Sequence, residues 1–240
     1  MIDNKRVLCI IPARGGSQGV KDKNIRLFNG RPLIHWALDT LTGSEYVDDI
    51  AVSTDSKKIE WSVTRYVEKY QNKDIAVWVR PKKLAGNSAH VMDTMQYHTR
   101  SLKSKYDYII MHHATAPLVT SEDIDKALRF MVNKDADFVI SMCKSEGIGV
   151  TKPIPESGYV KGWFPESLKG LNRQEMADAY QLDNNIYIGK WDIFYYGLDY
   201  WGTDIYAFKM PRSKCADIDT EEDFLRAEVM QRRQHGETNC

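Results

Sequence analysis

The sequence predicts an α/β fold: a mostly parallel, twisted sheet with helices on both faces. Three observations predict it. Short runs rich in β-branched residues alternate along the chain with longer stretches of helical period. The runs are continuously apolar, as strands buried on both faces of a parallel sheet require. The connections between runs are long enough for helical crossovers, which favours right-handed βαβ units.

The first run is VLCII (7–11), and a glycine-rich segment follows it to residue 24. Leu33, Ile34, Ala37, Leu38 and Leu41 then fall on one helical stripe. IAVST (50–54) reads as the next strand, followed by a stripe of Ile59, Val63, Val67 and Tyr70. IAVWV (75–79) leads to a stripe of Val91, Met95 and Leu102. After YIIM (108–111), Thr120 and Asp123 have capping-box spacing ahead of Ile124, Ala127, Leu128 and Met131. FVISMC (138–143) is the fifth run. In such a sheet, ligands bind beyond the carboxyl ends of the strands.

The rhythm breaks at 144–180, where Gly147, Gly149, Pro153, Pro155, Gly158, Gly162, Pro165 and Gly170 leave no clean period. This segment reads as an insertion, either a lid or an arm reaching another subunit. NIYIG (185–189) and IYAFKM (205–210) restore strand character, and a last helix begins near Thr220, again at capping-box spacing from Asp223. The tail QRRQHGETNC is expected to fray. Residues 1–143 and 181–233 thus form one α/β domain, with 144–180 inserted and 234–240 a flexible tail.

Composition narrows the function. The 240 residues are 42% apolar and 28% charged, with 33 basic and 33 acidic side chains. That balance gives the whole chain no bias toward nucleic acid or an anionic membrane. Positive charge is local, at Arg14, Lys21, Lys23 and Arg26. Cys9, Cys143, Cys215 and Cys240 form no C-x-x-C pair, so neither a zinc site nor a disulfide framework is indicated. No secretory apolar region opens the chain, and no run nears the roughly 18–20 residues that span a bilayer. A cytoplasmic location is expected.

The chemistry concentrates in two motifs. IPARGGSQGVKDKN (11–24) matches neither G-x-G-x-x-G nor G-x-x-x-x-G-K-[ST]. Gly15, Gly16 and Gly19 nonetheless tolerate positive φ, so main-chain amides there can converge on an anion. A phosphate socket and a flexible turn both fit, and the position after the first strand favours the socket. In ADIDT, Asp217 and Asp219 stand two apart, so an extended segment points both carboxylates one way. A divalent-cation site and an acidic helix start fit equally well.

IIPARGGSQGVKDKNIRLFNGRPLIHWAL closely resembles the N-terminal signature of the sugar-activating cytidylyltransferases, in particular the acylneuraminate (CMP-sialic acid synthetase) type. STDS (53–56), RPKKLAGNSAHVMDT (80–94), NRQEMADAY (172–180) and CADIDTEEDF (215–224) extend the resemblance over residues 5–228. It implies a Rossmann-like fold of the nucleotide-diphospho-sugar transferase type with a dimerisation arm at 144–180, where Trp163 and Phe164 need cover, and hence a homodimer. It also implies attack by an acidic nine-carbon sugar's anomeric hydroxyl on the α-phosphorus of CTP, expelling pyrophosphate.

On the same resemblance, Arg14, Gly15, Gly16, Ser17 and Lys23 surround the phosphates. Arg14 and Lys23 stabilise the leaving pyrophosphate. Asn24 and Arg80 lie near cytosine and ribose, and Ala13 and Ser88 complete the nucleotide site. Asp217 and Asp219 hold Mg2+ (or Mn2+). His113 and Thr115 line the sugar subsite, and Arg173, with Lys152 second, meets the sugar carboxylate. The chain departs from the family where LQPTSPLR becomes MHHATAPLV (111–119): His113 stands for glutamine, Ala116 for serine and Val119 for arginine. DNNIY (183–187) only approximates N-G-A-I-Y. These changes leave the sugar open, and another sugar, another nucleotide or a non-catalytic binder remain as alternatives. The missing fingerprint disfavours a Rossmann dehydrogenase.

Overall fold

A computed structural model describes residues 1–70, 74–86, 88–145, 156–157, 172, 175 and 178–236. It begins with β1 (Val7–Pro12), a small hairpin of β2 (Leu27–Phe28) and β3 (Arg31–Pro32), and α1 (Leu33–Thr42). Next come β4 (Asp49–Thr54), α2 (Lys57–Tyr70), β5 (Ile75–Val79) and α3 (Val91–Arg100). The chain continues through β6 (Tyr108–His112), α4 (Ser121–Lys134), β7 (Phe138–Lys144) and β8 (Tyr180–Lys190). It closes with α5 (Trp191–Tyr196), β9 (Ile205–Met210) and α6 (Glu221–Gln234).

Seven strands form one sheet in the order β5-β4-β1-β6-β8-β7-β9. Its pairings are parallel except where β8 runs antiparallel to β6 and β7. Alternation along β1 builds a core on each face. Val7, Cys9 and Ile11 pack with Ile34 and Leu38 of α1, Val63 of α2 and Leu128 of α4. Leu8 and Ile10 pack on the other face with Met95 of α3 and Phe194 of α5. Helices therefore cover both faces, and Cys9 and Cys143 are buried core residues.

A third core, away from the sheet, joins Val20 and Phe28 to Ile218 and to Phe224 of α6. Phe28 and Phe224 meet edge to face at 5.5 Å, a geometry that aromatic quadrupoles favour. This cluster fixes the segment after β1 against the segment before α6.

The structure departs from the sequence reading in three places. α6 runs through Gln234, so residues 231–234 are helical rather than frayed. The reason is burial: Gln231 is tucked in and its Oε1 accepts from Asn29 Nδ2 at 2.8 Å. α5 has no counterpart in the sequence reading; its six residues are too few to show a period, although Gly197 at φ 69° closes it. α3 stops at Arg100, leaving Leu102 beyond the helix but still against the core. Lys144 pairs with Tyr180, so the chain leaves and re-enters the sheet at one point. Most of the expected arm, including Lys152, Trp163, Phe164 and Arg173, lies outside the described residues.

Among the described residues, no helix is long and apolar enough to cross a membrane. Both expected capping boxes form. Buried Asp123 accepts from Thr120 N at 2.9 Å and Oγ1 at 2.7 Å, and pairs with Lys214 Nζ at 2.6 Å. It thereby ties α4 to the turn that precedes Asp217. Asp123→Ala removes a cap and strands a half-buried ammonium, so urea titration should show a loss of about 3 kcal/mol.

Candidate active site

The strand order reverses at β1: the chain steps outward through β4 and β5, then returns to β6 on the other side. Loops leaving β1 and β6 must diverge there, which opens a crevice at the carboxyl ends of the strands. A cleft of about 430 Å³ occupies this position. Pro12 of β1, Met111 of β6 and Arg80, just past β5, line it, together with His113, Thr115, Asn184, Tyr187, Asp217 and Asp219.

Of the expected nucleotide residues, Arg14, Lys23, Asn24 and Arg80 line the cleft, whereas Ala13, Gly15, Gly16, Ser17 and Ser88 are not among its walls. Ala13 is buried, and its N–H is bonded to Ser53 O at 2.9 Å. The Gly15 amide donates to Asp55 Oδ1 at 2.9 Å. Asn24 is buried, and its Nδ2 holds the Arg14 carbonyl at 3.0 Å, leaving Oδ1 as an acceptor. Arg14 itself reaches the Gly86 carbonyl at 3.3 Å. Ser88 is exposed, and Arg173 lies outside the described residues.

The positive φ that the loop glycines would tolerate is not used here. None of Gly15, Gly16 and Gly19 has positive φ. Gly19 is required by contact: a Cβ there would stand 1.9 Å from the main-chain oxygen of Asp219. Gly15 likewise abuts Ser56, whose Cβ would lie 2.8 Å away, while Gly16 has open space around it. Backbone proximity, rather than left-handed geometry, therefore selects glycine at 19.

That contact brings the two motifs together. Ile218 is fully buried in the third core, so its neighbours Asp217 and Asp219 face the cleft. Lys23 Nζ donates to the Ile218 carbonyl and to Asp219 Oδ1, the latter at 2.9 Å. Burial, and then the nearby Asp219 charge, raise the Asp217 carboxyl, against opposing hydrogen bonds from Asn184 and Thr115. Asn184 sits at φ 55°, donates to Asp217 Oδ2 at 3.0 Å and accepts from Tyr187 OH at 2.6 Å. Two carboxylates on one wall, one of them destabilised by its twin, suit a hard divalent cation. Among the described residues, no cluster of three or more His, Cys, Asp or Glu side chains is placed to hold a metal. Any ion here would therefore complete its shell with water or substrate oxygens.

Histidines 112 and 113 differ sharply. His112 is fully buried outside the cleft walls, and its Nδ1 donates to Asn185 O at 2.8 Å. His113 lines the cleft edge to face with Tyr187 at 6.0 Å. Burial, with Lys23 and Arg80 nearby, pushes His113 down to about 4. It is neutral at pH 7, so it gives the cleft a polar ring without charge.

Sequence reasoning missed Thr94, Asn184, Tyr187 and Tyr200 as cleft residues. Thr94 is 1% exposed, and its hydroxyl has no partner among the described residues. The signal was a polar residue between Val91 and Met95 on the buried helix stripe. For Asn184 it was the asparagine doublet, since asparagine tolerates positive φ.

The cytidylyltransferase family profile matches residues 8–225. The chain belongs to that family. It is 28% identical over 221 residues to an N-acylneuraminate cytidylyltransferase of Streptococcus agalactiae, covering 91% of this chain and 51% of that protein. The chain thus spans about half the length of the N-acylneuraminate cytidylyltransferase relatives from S. agalactiae. It is 27% identical to the pseudaminic acid cytidylyltransferase of Campylobacter jejuni, over 95% of this chain and 97% of that one. CMP:2-keto-3-deoxy-manno-octonic acid synthetase, solved with CTP, shares the fold, with TM-score 0.72, 15% identity, and coverage of 95% and 99%.

Two outcomes follow for this chain. Gly19→Ala should push the Asp217–Asp219 segment out of place; thermal unfolding should drop by several degrees, and CTP should restore little of it. Burial holds His98 and His112 down to about 4 each. The unfolded chain binds those protons near pH 6.5, so this stability is complete above 6.5 and drains as pH falls toward 4. Near pH 5 these two sites and His113, which is held down to about 4 as well, should together give a slope of about 3.6 kcal/mol per pH unit, cut by roughly a third in His112→Gln, by denaturant titration across that range.

Proposed function

We propose that the protein transfers CMP from CTP to an acidic nine-carbon sugar of the nonulosonic class, releasing pyrophosphate. The observation that carries this reading is the joining of a cationic loop and a carboxylate pair in one cleft, through the Gly19–Asp219 contact and Lys23. The relatives' activities on N-acylneuraminate and pseudaminic acid support the sugar class.

In this reaction the sugar hydroxyl oxygen forms a bond to the α-phosphorus as the bond to the β-phosphate bridging oxygen breaks. The hydroxyl proton leaves to solvent, and the electron pair departs on pyrophosphate. In-line transfer of this kind depends on positioning and charge neutralisation. Arg14 presents a planar donor fork to phosphate oxygens, and Lys23 a movable point charge. Both offset charge growing on the leaving group. Arg80 and Asn24 orient the nucleoside, and the unpartnered Thr94 hydroxyl offers it a further hydrogen bond. Asp217 and Asp219 would hold Mg2+ (or Mn2+), which when bound neutralises phosphate charge and acidifies the attacking hydroxyl. Tyr187 and Asn184 keep the Asp217 carboxylate turned toward the cleft.

Neutral His113 and Thr115 contact the sugar, and Arg173 or Lys152 meets its carboxylate. Assembly as a homodimer through residues 144–180, in the cytoplasm where CTP is supplied, belongs to the same reading; light scattering of the full chain tests the assembly.

The decisive assay is pyrophosphate release from CTP and Mg2+ with N-acetylneuraminate and with pseudaminate. Asp217→Asn and Asp219→Asn should each lose on the order of 100-fold or more in kcat. Full turnover in both variants would exclude the metal role, and no turnover with either sugar would exclude the substrate class.

A further inference from the structure

Arg80 is a buried cation without an ion-pair partner among the described residues. It is 6% exposed at the end of edge strand β5, and Asp55 acts on it only at longer range. Burial pushes it down to about 10. A guanidinium kept in such a place is a functional signal, because desolvating an unpaired charge is unfavourable.

Neutral acceptors hold it. Nε donates to Ser53 Oγ at 3.2 Å, and Nη2 donates to Ser53 O at 3.0 Å. The same Ser53 carbonyl accepts from Ala13 N, at the root of the loop after β1. Ser53 is fully buried, and its Oγ lies 2.7 Å from His98 Nε2. Guanidinium can only donate, so the serine lone pair faces Arg80 and the serine hydrogen goes to the imidazole. His98 Nε2 is therefore the unprotonated nitrogen of a neutral ring, and burial, with Arg80 close by, keeps that ring neutral. The chain has one direction: Arg80 to Ser53 to His98.

His98 is itself fixed. It is 5% exposed on the buried face of α3, and Trp78 and Tyr97 rings stand 5.1 and 5.2 Å from its own. Trp78 precedes Arg80 by two residues, so one side of β5 carries both the ring that pins His98 and the cation that His98 serves. Without the imidazole acceptor, the serine hydroxyl is free to rotate its hydrogen toward the guanidinium and loosen it.

We propose that His98 is a positioning residue of the nucleotide site, acting through the Ser53 hydroxyl to hold the Arg80 guanidinium so that its remaining donors serve the bound nucleotide. This rests on the reading of Arg80 as a nucleotide contact.

Calorimetric titration of the full chain with CTP and Mg2+ tests both separately, with circular dichroism confirming the fold of each variant. Arg80→Ala should weaken CTP binding by more than tenfold, and His98→Leu by about tenfold, the loss of one charge-assisted hydrogen bond. His98→Gln, which can return an acceptor to the same place, should recover most of the affinity. Ser53→Ala should match His98→Leu and stands in for it if the leucine variant does not fold. The double variant His98→Leu/Arg80→Ala should bind no worse than Arg80→Ala alone.

Additive losses in the double variant, or wild-type affinity in a folded His98→Leu or Ser53→Ala, overturn the relay while the nucleotide role of Arg80 stands. Wild-type affinity in Arg80→Ala removes Arg80 from the nucleotide site and overturns the proposal with it.

Discussion

Lys23 and Asp219 lie 196 residues apart in the chain, yet both line one cleft because their segments touch at backbone distance. Gly19 admits the Asp219 carbonyl where any side chain would collide with it. Val20, Phe28, Ile218 and Phe224 then seal the contact in a small core of their own. Burial of Ile218 turns the two flanking aspartates outward, and Lys23 clamps the same segment by its carbonyl and its carboxylate. A loop rich in donors and a pair of acids thus share one wall. Neither would be organised alone, since each borrows its fixed geometry from the other.

The electrostatics of the cleft follow from that arrangement. Arg14, Lys23 and Arg80 face a space that also holds Asp217 and Asp219. Arg80 is held by neutral oxygens, so its charge is available to a polyanion, whereas Lys23 is already engaged with Asp219. Burial raises Asp217 and depresses His113. Both shifts have one cause, the low polarizability of a walled crevice, which penalises whichever form is charged. A nucleotide and its cation entering together would relieve both the surplus of donors and the crowding of acids.

Much of this was legible from residues alone. The five β-branched runs became strands of the sheet, because a continuous apolar run can be satisfied only when both of its faces are covered. The capping pairs Thr120–Asp123 and Thr220–Asp223 formed as spaced, since a cap is a local hydrogen bond between near neighbours. Long-range features were not legible. Thr94 drew no notice beside an apolar stripe, and only the fold brings it to the cleft. His98 carried no signal at all, because its partners come from two strands distant in sequence.

The sequence by itself determined the class of fold, the order of its main strands and helices, and the two motifs that meet in the cleft, because periodicity and spacing are properties of neighbouring residues. For Gly19 it pointed to conformational freedom where the molecule required close approach. Only the tertiary structure decided that Gly19 meets Asp219, that Ala13 and Gly15 have their amides engaged by Ser53 and Asp55, and that Arg80 donates to Ser53, whose hydroxyl in turn meets His98. The physical reason is that such contacts join segments whose separation along the chain says nothing about their distance in space; packing alone brings them together.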